Sequence, residues 1–334
     1  MATPTIASLA ERYPDARIDV AVGPWARVGL AGNPRVAGLV DCEGLLGARL
    51  PRADALLRVA ARLRRGRYDG AVVLERSLWL CLLPLLAGIP VRIGLDSGGR
   101  GAAHTLGVEA AGLRHEADLY LDCVRALGPG RLIERLEFRP DRAAEAAAGA
   151  ALARAGWRGQ PFVLIHPGGG QNPGGSLVAK RWPPERFAAV ASALAGRGLA
   201  SAVVWGPGDD RSAAPMLAEA RRLGAADLLE LGTGLTLPAV AALAGRAALH
   251  LGNDTGASHL AVAVGTPTVV VFGPSDERRF GPFGRRADGR PIGLAVACPP
   301  LADDDPAPAF LARSTAAVSV EQVLSAIDRQ LGDG

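Results

Sequence analysis

Short apolar runs alternate with longer amphipathic segments along most of the chain. In its first part, runs such as ARIDVAVG, VAGLVDC, YDGAVVLE and VRIGL end at Gly, Pro or Asp. Stretches with helical periodicity, such as RADALLRVAARLRRG and HEADLYLDCVRALG, lie between these runs or after them. An alternation of this kind is typical of right-handed βαβ units that share a parallel sheet.

A break separates two such series. The Ala-rich segment RPDRAAEAAAGALARAGWRGQ predicts a connecting helix, and we place the domain boundary near residue 150. The runs PFVLIHPGGG, LASAVVWGPG, DLLELGTG, ALHLGND and TPTVVVFGPSD then alternate with helical stretches. The pattern predicts an α/β protein with two doubly wound, Rossmann-like domains, residues 1–150 and 151–334, facing a cleft. The amphipathic tail 314–332 predicts a last helix, which either stays with the second domain or packs back on the first.

The most apolar window and the most basic window are neighbours. Residues 77–95, SLWLCLLPLLAGIPVRIGL, are interrupted by Pro84, Gly88, Pro90 and Arg92, so they are too broken to span a bilayer. We expect a buried helix followed by a buried strand there. The basic cluster ARLRRGRYD predicts the polar end of a helix, and we expect no nucleic-acid partner.

Composition narrows the class of protein. Of the 334 residues, 49% are hydrophobic and 21% are charged, which suits folded domains. The basic excess is small, 37 − 33 = 4. The four cysteines form no C-x-x-C pair, which argues against a disulfide framework or a zinc site. The polar start MATPTIASLAERYPDAR has no signal-peptide pattern, so we expect a cytoplasmic protein.

Polar or glycine-rich segments follow five of the predicted strands in the second half: HPGGGQ, WGPGDD, GTG, NDTG and FGPSD. In open α/β sheets, ligands bind beyond the carboxyl ends of the strands. Ordinary βα turns also need Gly, Asp and Asn for their geometry. Five such strand ends in one domain favour a ligand site.

Two of these strand ends have the chemistry of a phosphate site. Asp254, Thr255 and Gly256 open the predicted helix TGASHLAVAVG, where Thr255 can cap the helix and the first N–H groups can bind phosphate. His259 lies one turn later, and Asp254 could accept a sugar hydroxyl or orient that histidine. The ordinary alternative is an N-cap beside a core histidine.

The second strand end is HPGGGQNPGGSLVAKRW, in which a strand ends at His166 and a glycine loop includes Gly168 and Gly169. Lys180 and Arg181 follow the loop, where they could meet a diphosphate; the alternative is a solvated lysine. The segment is not a Walker A motif, and no G-x-G-x-x-G is present, so a dinucleotide-dependent dehydrogenase has little support.

Together, HPGGG…KRWPPERF and NDTGASHLAVAVGTPTVVVFGPSD resemble the C-terminal half of glycosyltransferase family 9, the heptosyltransferase-like enzymes of lipopolysaccharide assembly. TPTIASLAERYPDARIDVAVG and RHEADLYLDCVRALG are similar to N-terminal regions of that family. The resemblance implies a GT-B fold and inverting transfer of a sugar, typically heptose from ADP-heptose, to a glycan or lipid-linked acceptor. It also implies that the C-terminal domain holds the donor.

The resemblance assigns roles to residues of this chain. Lys180 would stabilise the leaving diphosphate, Asp210 (or Asp209) would meet the ribose, and Leu235 would lie near the base. The other donor-binding residues would be His166, Gly168, Gly169, Asp254, Thr255, Gly256 and His259. No cluster of His and Cys is present, so no metal site is expected and no cofactor is required; Mg²⁺ is compatible but not implied.

The family begins with a strand and a Gly-Asp loop whose aspartate is its presumed catalytic base. This chain starts at the following helix, so we expect the first domain to lack that strand and leave the base unassigned. Asp15 and Asp19 flank the next strand at its other end and do not substitute. Either Met1 is an internal residue of a longer protein, which we favour, or the chain is a non-catalytic nucleotide-sugar-binding or scaffold paralogue.

The acceptor is not specified by these motifs. An acceptor site would lie around the loop SGGRGAAHT, where Arg100 and His104 could meet a phosphate or an acid. A different donor sugar, or epimerase-like hydrolysis on the same fold, would fit the same donor-side residues. Because acceptors of this class are often lipid-linked, we expect peripheral contact with the inner face of the membrane.

Overall fold

The computed structural model describes residues 1–42, 44–45, 51–169, 171–172, 175–302, 304–306 and 309–332. The chain divides into two compact units, Met1–Glu134 and Arg135–Gly334. The predicted boundary near residue 150 lies inside a helix of the second unit, Arg142–Arg154. Asp141 caps this helix by accepting the N–H of Ala144 at 2.7 Å. The acceptor-side and donor-side roles of the two units remain predictions.

The first unit contains strands and helices in the predicted alternation. Its elements are α1 (Thr3–Arg12), β1 (Asp19–Val22), α2 (Pro24–Arg27), β2 (Gly38–Asp41), α3 (Ala53–Arg65), β3 (Gly70–Val73), α4 (Leu78–Leu86), β4 (Val91–Asp96), β5 (Leu106–Glu109) and α5 (Glu116–Arg125).

These strands form two separate parallel sheets, β1-β2 and β3-β4-β5. Among the described residues of this unit, no hydrogen-bonded ladder joins the two sheets. Three of the four residues of β1 and all four residues of β3 are exposed or only half-buried. This arrangement agrees with the prediction of a doubly wound domain that lacks one strand.

The apolar helix α4 is only partly buried, so the prediction of a buried helix was wrong on one side. Leu80, Cys81 and Leu83 are buried, and the two leucines belong to a core shared with α3. On the outer side, Leu78, Leu85 and Leu86 are 41%, 45% and 43% exposed. A helix that covers one face of a sheet contacts protein along one side, and nothing in the described chain covers the other. The next strand, β4, is buried at its centre, as expected.

The second unit contains α6 (Arg142–Arg154), β6 (Phe162–His166), β7 (Gln171–Asn172), β8 (Gly175–Ser176), α7 (Pro184–Ala195), β9 (Ala200–Val204), α8 (Asp210–Arg222), β10 (Leu228–Gly232), α9 (Leu237–Ala244), β11 (Leu249–Asn253), α10 (Gly256–Ala263), β12 (Thr268–Val271), α11 (Glu277–Phe280), β13 (Gly293–Val296) and α12 (Val320–Leu331). Short 3-10 turns lie at Val178–Lys180, Ala309–Ala312 and Thr315–Ala317.

Six strands of this unit form one parallel sheet in the order β10-β9-β6-β11-β12-β13. Every residue of β6, β9, β11 and β12 is buried, as expected for a sheet with helices on both faces. β6 is the first strand of this sheet in the sequence and lies in its middle. β9 and β10 extend the sheet to one edge, and the chain then returns to form β11 on the other side of β6. The carboxyl ends of β6 and β11 therefore flank the topological switch point, where doubly wound sheets bind ligands.

The predicted last helix is α12, which packs against α7, β12 and β13 of the same unit. Ser319 and Gln322 form a capping box at its start, each side chain bonding the backbone N–H of the other residue. Among the residues that the structure describes, no helix has the length and apolarity needed to cross a membrane.

Candidate functional site

The glycine loop after β6 passes through a narrow space at the carboxyl end of the sheet. A Cβ atom on Gly168 would lie 2.1 Å from Oδ2 of Asp209, and one on Gly169 would lie 2.1 Å from Cγ2 of Thr255. Gly169 also has a φ of 112°, which side chains disfavour. Gly168 therefore lets the backbone approach the start of α8, and Gly169 lets it approach the start of α10. The predicted loop residues Gly170, Pro173 and Gly174 lie outside the described residues.

Asn253, the last residue of β11, joins this loop to the segment that carries the predicted phosphate-binding lysine. Its side chain is fully buried. Oδ1 accepts the N–H of Trp182 at 3.0 Å, and Nδ2 donates to the carbonyls of Pro167 at 3.1 Å and Gly168 at 2.9 Å. Sequence reasoning gave this residue no role. The one feature of the sequence that could have indicated a role is its position, an amide at the end of a predicted strand and next to an acid.

Arg181 holds the glycine loop from the other side. Its Nε donates to the carbonyl of Gly169 at 2.8 Å, and its Nη2 donates to Oδ1 of Asp209 at 2.9 Å. Asp209 Oδ1 also accepts the N–H of Gly169 at 3.1 Å. The side chains of Arg181 and Asp209 are 11% and 8% exposed. Arg181, which we expected to meet a diphosphate, is thus engaged in fixing the loop.

Lys180 and Asp254 form an ion pair next to the loop. Lys180 Nζ lies 2.6 Å from Asp254 Oδ2, which also accepts the hydroxyl of Ser275 at 2.8 Å. His259 Nε2 lies 3.6 Å from Asp254 Oδ1. Burial would raise the pKa of Asp254, but His259 and Lys180 outweigh it and lower the pKa to about 2. Asp254 is therefore ionised, and the side chains of Lys180, Ser275 and His259 stabilise its negative charge.

Lys180 is the only lysine in a chain with 37 Lys and Arg residues. At exposed surface positions the two cations are largely interchangeable, but the compact ammonium and the planar guanidinium bind anions differently. A point charge fits the close contact with one oxygen of Asp254, where a guanidinium would need more space. The use of Lys at this position alone points to a requirement for that geometry.

Thr255 and Gly256 lie at the start of α10, as predicted, but Thr255 does not cap the helix. Its hydroxyl makes no hydrogen bond within the described chain. Nothing lies within 4 Å of a Cβ atom placed on Gly256, which is exposed. The first N–H groups of a helix have no partner within the helix. The open space beside Gly256 and these N–H groups are therefore suited to an anion.

Asp210 and Leu235 lie beyond the carboxyl ends of β9 and β10, as predicted. Asp210 is exposed, and its Oδ1 accepts the indole N–H of Trp205 at 3.0 Å. Asp209 is buried in its ion pair with Arg181. Of the two acids, the exposed Asp210 is therefore the better placed to meet a ligand that enters from solvent. Leu235 is half-buried against the core below β10.

His166, the last residue of β6, is 8% exposed. Burial lowers the pKa of its imidazole, so a neutral ring lies at the base of the glycine loop. Together with the glycine loop, Lys180 and the start of α10, His166 lies at the carboxyl ends of β6 and β11. It contributes packing and a neutral polar group there.

A C-terminal segment supports the site from outside the sheet. Thr315 Oγ1 donates to the carbonyl of Arg181 at 2.8 Å. Arg313, whose side chain is 3% exposed, donates to Glu277 at 2.6 Å and to the carbonyl of Ser275. These residues position Lys180 and Ser275. No motif in the sequence marked them, because Thr315 is 134 residues from the backbone it binds.

The expected acceptor-side residues lie in the first unit on the connection between β4 and β5. Arg100 is exposed, and its Nε donates to the carbonyl of Ser97 at 2.9 Å. His104 is half-buried against Gly94, and burial lowers its pKa. Asp19, set aside above as a base, accepts the hydroxyl of Tyr68 at 2.7 Å. The acceptor site remains a prediction.

Within the described ranges, no group of three or more His, Cys, Asp or Glu side chains is arranged to hold a metal ion.

Comparisons of the sequence with known proteins relate this chain to a family. Residues 56–291 match the family model described as glycosyltransferase family 9 (heptosyltransferase). Lipopolysaccharide heptosyltransferase 3 of Escherichia coli is 26% identical over 298 residues, which cover 85% of this chain and 82% of the relative.

Solved structures show the same fold. A glycosyl transferase family 9 protein from Veillonella parvula matches with a TM-score of 0.75 and 19% identity, covering 100% of this chain and 93% of its own. The ADP-heptose lps heptosyltransferase II of Escherichia coli matches with a TM-score of 0.71 and 21% identity, covering 99% and 94%. These similarities confirm the predicted α/β fold of the GT-B class.

Proposed function

Because this chain belongs to glycosyltransferase family 9, we propose that it transfers heptose from a nucleotide-diphosphate donor to a glycan or lipid-linked acceptor, with inversion at the anomeric carbon. The donor would bind at the ends of β6 and β11. The observation that carries this proposal is the single lysine, Lys180, held against Asp254 at the start of α10.

In the proposed reaction, the acceptor oxygen attacks the anomeric carbon and the bond to the nucleoside diphosphate breaks. Negative charge grows on the departing diphosphate. Lys180 would turn from Asp254 to the phosphates, and the N–H groups at the start of α10 would bind the same oxygens. Asp254 keeps its contacts with Ser275 and His259 when the lysine leaves. The proton of the acceptor hydroxyl goes to a base that we do not assign.

Two further features of the proposal concern its setting. ADP is the expected nucleotide because a structural neighbour is named an ADP-heptose enzyme. We also propose that the protein works in the cytoplasm at the inner face of a membrane, where a lipid-linked acceptor would be presented.

A titration of the chain with ADP, UDP, GDP and dTDP, followed by thermal unfolding, tests the donor site. A nucleotide at 100 times its Kd adds about 2.7 kcal/mol to the free energy of unfolding. We expect ADP to stabilise most. If none of the four stabilises a chain that melts cooperatively, the donor-site proposal is wrong.

The single lysine permits a sharper test. Lys180 carries the only side-chain amine, so its acetylation by an amine-directed reagent can be followed by mass spectrometry. Saturating ADP should protect it. Lys180→Ala should slow heptose transfer by about 100-fold or more, whereas Arg197→Ala, which removes an exposed ion pair with Asp328, should not. Protection without any transfer by the unmodified chain would favour the non-catalytic binding protein instead.

A further inference from the structure

The outer side of α4 is unusual for a helix on the surface of an α/β unit. Leu78, Leu85 and Leu86 are more than 40% exposed, and Leu82 lies between them at helical spacing and is half-buried. Positions separated by four, seven and eight residues lie on one face of a helix. On a typical surface helix this face is polar. Here it forms a continuous leucine stripe.

The neighbouring helix α3 carries one further exposed leucine and adds positive charge. Leu57 on α3 is 61% exposed. Residues 52–67 contain six arginines and one acid, Asp54, which pairs with Arg52 and Arg58. The two helices share a core, so their outer faces are adjacent.

One of these arginines, Arg64, lies at the end of the leucine stripe. A guanidinium nitrogen of Arg64 lies 3.3 Å from the position of a Cβ atom on Gly88, two residues after the end of α4. Arg65 and Arg67 are exposed beside it. Cations and exposed leucines are thus combined at the carboxyl-terminal ends of α3 and α4.

We propose that this surface, the outer faces of α3 and α4, docks the protein on an anionic phospholipid bilayer. The leucines would insert between headgroups and acyl chains, and the arginines would bind lipid phosphates. Each basic side chain near an anionic surface contributes about 1 kcal/mol. The charge pattern favours this partner over a neutral protein surface, because arginines outnumber acids six to one in residues 52–67. Nucleic acid would leave the leucines without a partner.

The docking surface deepens the membrane contact in the proposed function but does not depend on the donor site. Vesicle binding and ADP binding are separate measurements on the same 334-residue chain. A protein that binds ADP but not vesicles would overturn the docking proposal and leave the donor site intact. A protein that binds vesicles but no nucleotide would overturn only the donor site.

Flotation with vesicles of phosphatidylcholine plus phosphatidylglycerol, and of phosphatidylcholine alone, tests the proposal. We expect strong preference for the anionic vesicles. Leu85→Asp/Leu86→Asp should weaken that binding at least tenfold, or about 1.4 kcal/mol. The matched control is Leu223→Asp/Leu311→Asp in the second unit, whose leucines are 38% and 65% exposed. The control should bind like the unmodified protein.

A second pair isolates the charge. Arg64→Glu/Arg65→Glu should also lose at least tenfold in binding, whereas Arg221→Glu/Arg222→Glu, at the end of a helix in the second unit, should not. Equal binding to both vesicle types, or unchanged binding by the leucine pair, overturns the proposal. So does a dimer in lipid-free solution that the leucine pair converts to monomer, because the surface would then be an interface between copies.

Discussion

The two units follow the same αβ alternation but differ in how completely their strands are paired. In the second unit, β6 lies between β9 and β11 in a continuous sheet, and all three strands are buried. In the first unit, the described strands form two separate sheets, and β1 and β3 are largely half-buried or exposed. Alternation of strand and helix therefore does not by itself produce a closed core. The central strand is what joins the two sides of a doubly wound sheet.

The difference matters for the ligand site. At the carboxyl ends of β6 and β11, Asn253 bonds the loop that follows the neighbouring strand, so the two strand ends hold each other. Among the described residues of the first unit, no amide side chain joins the ends of β1 and β3 in this way. Precise placement of charged groups requires such mutual support, and we expect the rigid unit to be the one that binds the donor.

Hydrogen exchange provides the test with the largest expected effect. Amides of β1 and β3 should exchange through openings that cost several kcal/mol less than those of β6 and β11, because their strands bury less surface and have fewer paired neighbours. We expect protection factors to differ by roughly a thousandfold. Mass spectrometry of peptides from both units measures this. Equal protection of β3 and β6 would show that the split in the first sheet has no energetic consequence.

Replacement of Asn253 should have the next largest effect. Asn253→Ala leaves one buried N–H and two buried carbonyls without their side-chain partner, and we expect a loss of about 3 kcal/mol. Asn33→Ala in the first unit is the matched control, since Asn33 makes a single bond to the N–H of Arg35. It should cost less than about 1 kcal/mol.

Urea unfolding of both variants measures these losses, and ADP titration shows their consequence for the site. Asn253→Ala should weaken ADP binding because the glycine loop and Lys180 lose their common support. If the two asparagine variants are equally stable and bind ADP alike, the strand ends do not depend on this amide.

The sequence predicted most of the fold because the evidence was local. Apolar runs ending in Gly or Asp located β6, β9, β10, β11 and β12, and the Ala-rich segment predicted α6. The family resemblance brought Lys180, Asp254 and Thr255 to one site, and the structure places them together. Contacts between distant segments were missed. Asn253 and Thr315 act on backbone far away in the chain, and no spacing rule indicates such partners.

Two errors have a common physical origin. Thr255 occupies the capping position of α10, but its hydroxyl makes no hydrogen bond to the helix N–H groups. The helix α4 is apolar on all sides, yet one side is exposed. The type of a residue predicts which contacts it can make, whereas the packing of the surrounding elements decides which of those contacts form.

The smallest expected effect concerns pH and is specific to the second unit. His250 lies in β11 with no exposed surface, and its Nε2 is 3.1 Å from the hydroxyl of Ser258. Ser258 gives its only hydroxyl hydrogen to the carbonyl of Asn253 at 2.7 Å. Nε2 must therefore carry the proton and donate to Ser258. Burial, with a smaller effect of His166, lowers the pKa of His250 to about 3.

Because the folded pKa of His250 is below the value of about 6.5 in an unfolded chain, the unfolded state binds more protons between these pH values. The contribution of His250 to stability is fully present above pH 6.5 and is lost as pH falls toward 3. The slope for one such group is about 1 kcal/mol per pH unit.

His250→Gln keeps a donor in place of Nε2 and cannot be protonated, so its stability should fall less steeply below pH 6.5. Urea unfolding at pH 7, 6 and 5, followed by tryptophan fluorescence, gives the difference between the two proteins. Parallel curves would mean that the pKa of His250 is the same in the folded and the unfolded chain, and the sheet of the second unit would then be less closed than its burial indicates.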